Sequence, residues 1–244
     1  MTDHNPDPDH ANAGQTKAAR NVGGPAAQPN ADPKAGPKAD QQRGPTEAHP
    51  LIAVVYCTGA GHTRRLAEAI AGGIAGDAGR PAALIDVATL DADGQAPGWH
   101  TLRSAAAIVF GAPTYMGNVA APFKAFMDAT SDFWSDLPWK DRLAAGFTVG
   151  SSPAGDKLGT LNTLAIFAAQ HGMIWIGQAE IGPPTRRFAP DEPVLNRDGA
   201  MLGLTATSSR DKRQLIESGD LATAHAFGQR IAGATARWGS SSVQ

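Results

Sequence analysis

The chain has 244 residues, 42% of them hydrophobic and 18% charged, and its 21 bases against 23 acids leave a formal charge of −2. That near-balance excludes a polyelectrolyte such as nucleic acid as the main partner, because such a partner selects a basic excess. The one cysteine, Cys57, excludes an internal disulfide framework and any multi-cysteine zinc or iron–sulfur centre. No metal site is expected, and no run of about 18 apolar residues exists to span a membrane.

Residues 1–50 hold Met1 and Val22 as their only large apolar side chains, together with eight of the 18 prolines. Such a segment cannot bury enough apolar surface to offset chain entropy, so it predicts a disordered tail ahead of one domain at 51–238. The opening MTDHNPDPDH is polar and carries no apolar signal-peptide core, which predicts a cytoplasmic protein. The first strand is predicted at Leu51–Cys57, a short β-branched run that fits burial on both faces. A turn, Thr58–Thr63, leads into a helix with Leu66, Ala69, Ile70, Gly73 and Ile74 at helical spacing; Thr63 would be its cap if the turn were a plain capped one. Further strands are predicted at 82–87, 105–110, 143–149 and 173–180. Helices are predicted from Pro122, over 158–170 and around Leu221–Ile231, with a long loop at 181–213. Five alternations of strand and helix imply a doubly wound parallel sheet, whose ligand sits past the C-terminal ends of the strands. The loops after the first, third and fourth strands converge there.

The first loop is rich in glycine and hydroxyls and opens a helix, a combination suited to phosphate. It lacks the Gly-Lys-Ser/Thr of a Walker A loop. As a dinucleotide fingerprint it lacks the third glycine, although Asp86 stands 25 residues after Gly61, near where a ribose-binding acid belongs. A plain capped turn is the structural alternative. The second loop, Pro113-Thr-Tyr-Met-Gly-Asn118, combines an aromatic, a hydroxyl, an amide and a glycine. It suits the edge and face of a planar heterocycle such as an isoalloxazine. The third loop, Ser151-Ser-Pro-Ala-Gly155, offers hydroxyls but no aromatic, which leaves one face of such a ring open.

Several motifs together resemble one family. Thr58-Gly-Ala-Gly-His62, Phe110-Gly-Ala-Pro-Thr-Tyr-Met-Gly-Asn118, Phe133-Trp134 and His171-Gly-Met173 resemble the flavodoxin-like NAD(P)H:quinone oxidoreductases of the Trp repressor-binding protein A type (WrbA). Gly199-Ala-Met-Leu-Gly203 is a looser match. The resemblance implies a flavodoxin-like sheet of order 2-1-3-4-5 with helices on both faces. It implies FMN, with the phosphate on Thr58, Gly59, Gly61, His62 and Thr63. The ring would lie on Pro113, Thr114, Tyr115, Met116, Gly117 and Asn118, with Ser151, Ser152 and Gly155 closing the third side. It further implies that Trp134 and His171 line the space over the flavin as catalytic residues, the tryptophan from a neighbouring subunit of a dimer or tetramer.

The implied reaction is ping-pong. NAD(P)H delivers a hydride as co-substrate, leaves, and a quinone-like acceptor takes two electrons in the same space. His171 would supply a proton or hydrogen bond to the acceptor. Three departures stand out: a short connection at Ala88–Ser104, a third loop reading Pro153-Ala-Gly155, and Met116 in place of an aromatic. The competing readings are a flavodoxin-type FMN electron carrier and an NAD(P)-binding dehydrogenase that uses Asp86.

Overall fold

The computed structural model describes residues 49–76, 79–209, 211 and 213–240. The tail predicted at 1–50 therefore lies almost wholly outside the described residues. The chain runs β1 (Ile52–Tyr56), α1 (His62–Ala75), β2 (Ala82–Asp86), α2 (Pro97–Ser104), β3 (Ala107–Tyr115), β4 (Asn118–Val119), α3 (Ala121–Ala129), β5 (Leu143–Gly150), α4 (Lys157–Gln170), β6 (Ile174–Trp175), β7 (Leu204–Thr207) and α5 (Ser218–Ser240). Two 3₁₀ segments, Val87–Thr89 and Thr130–Asp136, follow β2 and α3.

The sheet order is β2-β1-β3-β5-β6, all parallel, with β4 folded back on β3 as a hairpin and β7 alongside β5. With the hairpin set aside and β6 and β7 sharing the fifth position, this is the order 2-1-3-4-5 that the resemblance implies. Every residue of β1 is buried, and successive side chains enter opposite cores. Ile52, Val54 and Tyr56 pack with α1 and α5, whereas Ala53, Val55 and Cys57 pack with the side of α2, α3 and α4. A strand covered on both faces has no solvent side, which is why it reads as an unbroken apolar run.

Four expectations need correction. The fifth strand, predicted at 173–180, pairs only at Ile174–Trp175, beside Leu143–Ala144. The rest of that position in the sheet is filled by Leu204–Thr207, from the stretch read as loop, beside Phe147–Gly150. The chain leaves the sheet where Gly177 presses on the Met201 carbonyl, so closely that a Cβ there would lie 2.7 Å from that oxygen. The third strand runs on from Phe110 to Tyr115, because the Pro113–Tyr115 half of the second loop pairs with β5 and β4. Helix α2 was not anticipated; Pro97 at its start and the buried Trp99 and Leu102 explain it. Thr63 does not cap α1. It is 1% exposed inside the first turn, and Gly61, at φ 98°, stands at the cap with no side-chain hydrogen bond.

Candidate active site

The C-terminal edge of the sheet carries an open cleft of about 170 Å³ lined by Gly59, Ala60, His62, Thr63, Pro113, Thr114, Tyr115, Val149, Gly150, Ser151 and Ser208. That volume is below the roughly 300–1,000 Å³ of small-molecule sites, so a ligand here would lie partly outside the cleft, along its open mouth. The floor is the N-terminus of α1. Gly61 adopts the left-handed conformation that turns the chain from β1 into the helix, and it aims the first helical N–H groups into the cleft. Thr58 and Gly61 adjoin the lining without belonging to it, and the Thr58 hydroxyl oxygen, next to Gly59, is buried with no hydrogen-bond partner. Gly59 lies under Tyr115, where a Cβ would stand 2.5 Å from the phenol oxygen.

The second loop is held from behind by hydroxyls. The Thr114 hydroxyl lies 2.8 Å from those of both Thr148 and Thr160. The Thr163 hydroxyl donates to Asn118 Oδ1 at 2.8 Å. Tyr115 is 55% exposed and Met116 fully so, leaving the mouth open. Met116, Gly117 and Asn118 form the tip and rear of the loop rather than the lining. In the third loop only Ser151 reaches the cleft; Ser152 and Gly155 shape the turn behind it, with Gly155 at φ 50°. Ser208 escaped the sequence reading because β7 was read as loop.

His171 and Trp134 lie at the other edge of the sheet. Helix α4 starts beside the third loop and carries the chain about 21 Å away over its 14 residues before His171. The Gly172 carbonyl there accepts from the Asp141 N–H, just ahead of the first residue of β5. His171 is 1% exposed, 4.5 Å between ring centroids from Trp139 and 4.9 Å from Phe167. The Thr130 hydroxyl donates its proton to the Met127 carbonyl at 2.6 Å, so it accepts from Nε2–H of His171 at 3.0 Å. Nδ1 is left bare, buried and unpartnered. Burial pushes the His171 pKa down to about 4. The ring is neutral at pH 7 and is not among the residues that line the cleft. Trp134 is 47% exposed and donates Nε1–H to the Gln170 carbonyl at 2.6 Å.

The sequence profile of the NADPH-dependent FMN reductase family matches residues 50–182. The chain belongs to that family. Flavodoxin FldP of Pseudomonas aeruginosa is 39% identical over 182 residues, covering 73% of this chain and 93% of that protein. An NAD(P)H dehydrogenase (quinone) of Chromohalobacter salexigens is 30% identical over 195 residues, covering 74% and 94%. The crystal structure of the flavodoxin, WrbA-like protein from Agrobacterium tumefaciens superposes with a TM-score of 0.59 at 35% identity, covering 77% of this chain and 98% of that one.

The protein is thus an FMN-dependent oxidoreductase with NAD(P)H as its electron donor. The reductase's cleft fits that cofactor. An orphaned buried hydroxyl at Thr58, a helix N-terminus without a side-chain cap and a glycine beneath an aromatic are the features a phosphate and a flat ring require. Asp86, the acid of the dehydrogenase reading, is otherwise engaged: it accepts from Ala88 N–H at 3.1 Å and lies 3.7 Å from Arg64. Cys57 is buried and its thiol pushed up to about 12 by desolvation first and Asp86 second, which makes it inert packing. Among the described residues no helix is long and apolar enough to cross a membrane.

Proposed function

We propose that the reductase passes two electrons from NAD(P)H to a quinone or similar planar acceptor, and that donor and acceptor take turns in one open cleft. The unpartnered Thr58 hydroxyl carries the assignment of the cleft, because a buried polar group without a partner is unfavourable by about 1–3 kcal/mol unless a ligand satisfies it. Bound FMN would supply hydride acceptance and its return as electrons. The chain's own part is to hold the phosphate at Thr58–Thr63, to hold the ring edge at Pro113–Asn118 and Ser151, and to leave the face beside Tyr115 open. Ser152 and Gly155 shape the turn that presents Ser151.

The proposal includes a homo-oligomer, dimer or tetramer, in which Trp134 from a second copy covers the open face. A half-exposed indole beyond reach of its own cleft supports this. His171 then acts at a distance: it holds Thr130, the first residue of the turn that carries Trp134. A proton-donor role for His171 is not retained, because the ring is enclosed. A cytoplasmic location is also part of the proposal, supported by a lone buried cysteine with no intrachain disulfide partner.

The test is the absorption spectrum of the purified protein, followed by NAD(P)H without air and then a quinone. Yellow that bleaches with NAD(P)H and returns with quinone is expected. Yellow that NAD(P)H leaves unchanged would favour the electron carrier, the reading supported by the relative named flavodoxin. A colourless protein that takes up no added FMN would overturn both. Trp134→Ala should raise KM for donor and acceptor while FMN stays bound.

A further inference from the structure

Lys157 opens α4 directly behind the third loop, and it is 2% exposed. Its ammonium uses its donors on three acceptors from two stretches of chain: the Asp198 carboxylate and, on β7, the Ala206 carbonyl at 3.0 Å and the Thr207 hydroxyl at 3.1 Å. Its aliphatic stem lies along the end of β5, where a Cβ on Gly150 would be 3.2 Å from Lys157 Cγ. Gly150 and Ser151 line the cleft, and so does Ser208, whose N–H donates to the Gly150 carbonyl at 2.9 Å. One side chain thus stands behind three consecutive parts of the cleft wall.

Asp198 is presented from the segment that interrupts the fifth position of the sheet. Asn196 brackets that turn, accepting from Ala200 N–H at 3.1 Å and donating to the Glu180 carbonyl at 2.7 Å. A second buried acid, Asp220, accepts from Thr207 N–H at 3.1 Å and lies 3.2 Å from Arg197, so two acids face two bases. A fold that needed only filling at position 157 would use a methionine or leucine there, because replacing a buried pair by apolar residues is often neutral or stabilising.

We propose that Lys157, held by Asp198 and Thr207, is a positioning residue that sets the Gly150–Ser151–Ser208 wall of the flavin cleft and thereby the affinity for FMN. The proposal rests on FMN binding in that cleft, which the wild-type protein tests by itself. Two variants of the full-length chain test the rest. Thr207→Val is near-isosteric and removes one acceptor from the lysine. Lys157→Met with Asp198→Leu removes both charges together, so neither is left buried alone.

Each is read by FMN titration, by thermal melting without flavin, and by amide exchange at residues 150–156 and 207–208. The expected result is melting close to wild type, faster exchange in those segments and an FMN Kd raised about tenfold, as loss of a partner behind a ligand-holding group commonly does. If Thr207→Val leaves both exchange and Kd at wild-type values, the proposal is wrong, whether or not the double variant folds. A double variant that melts normally and binds FMN as the wild type does would equally overturn it. Exchange needs no flavin, so a wild-type protein that failed to bind FMN would remain distinguishable from a failure of the positioning role.

Discussion

At the edge where the strands end, the chain presents glycines, hydroxyls and a helix N-terminus around an open cleft, and leaves a threonine hydroxyl without a partner. At the edge where they begin, Phe133, Trp139, Phe167 and His171 close on one another with ring centroids 4.5–6.3 Å apart. One edge forgoes packing to keep a ligand's place. The other is filled, even though it contains a histidine and a tryptophan that read as functional. The division predicts that substitutions at the first edge always move flavin affinity, whatever they do to stability, and that those at the second move stability and leave flavin affinity at its wild-type value.

The largest effect is expected at Gly61. Its φ of 98° is strained for any β-branched residue, and a side chain there would deflect the helix N–H groups from the phosphate. Gly61→Val should weaken FMN binding about a hundredfold, equivalent to about 2.7 kcal/mol, measured by flavin fluorescence quenching. Unchanged affinity would remove the phosphate from this loop.

At the opposite edge, His171→Ala should lower unfolding free energy by about 2 kcal/mol in urea, with FMN affinity at the wild-type value. A loss of flavin without a loss of stability would break the comparison.

The same residue makes stability depend on pH. His171 titrates at about 4 in the fold, against an ordinary value of 6.5, so between those values the unfolded chain binds more protons. Stability should fall as pH drops from about 6.5 to about 4, by no more than about 1.4 kcal/mol per pH unit from this residue, and the contribution should flatten below. At neutral pH no penalty is present. His171→Gln should remove this component from a series of urea titrations.

The smallest effect, at Thr58, has opposite signs in the two states. Thr58→Val should raise the stability of the flavin-free protein by up to about 1 kcal/mol, because an orphaned hydroxyl disappears, and weaken FMN about fivefold. If flavin-free stability fell, the hydroxyl would already have a partner and the cleft assignment would lose its support.

The sequence alone determined the α/β alternation and the three loops that meet at the C-terminal edge of the sheet, and the resemblance it carries implied the sheet order. Strands buried on both faces are written as unbroken apolar runs, and the loops between them as glycine, proline and hydroxyl clusters. It also determined the resemblance that named FMN, since Thr58–Thr63 and Phe110–Asn118 are contiguous motifs. Only the tertiary structure decided which of those residues share a cleft. The length of α4 carries His171 away from it, to the end where Trp134 bonds the Gln170 carbonyl, a distance no local motif encodes. Likewise only the fold brings Leu204–Thr207 back beside β5, because two apolar–polar alternations in four residues are too short to stand out from the Pro- and Gly-rich stretch around them. With that strand come Ser208 on the cleft wall and the buried partners of Lys157, 41 to 50 residues further along the chain, whose pairing exists only once the sheet has closed around them.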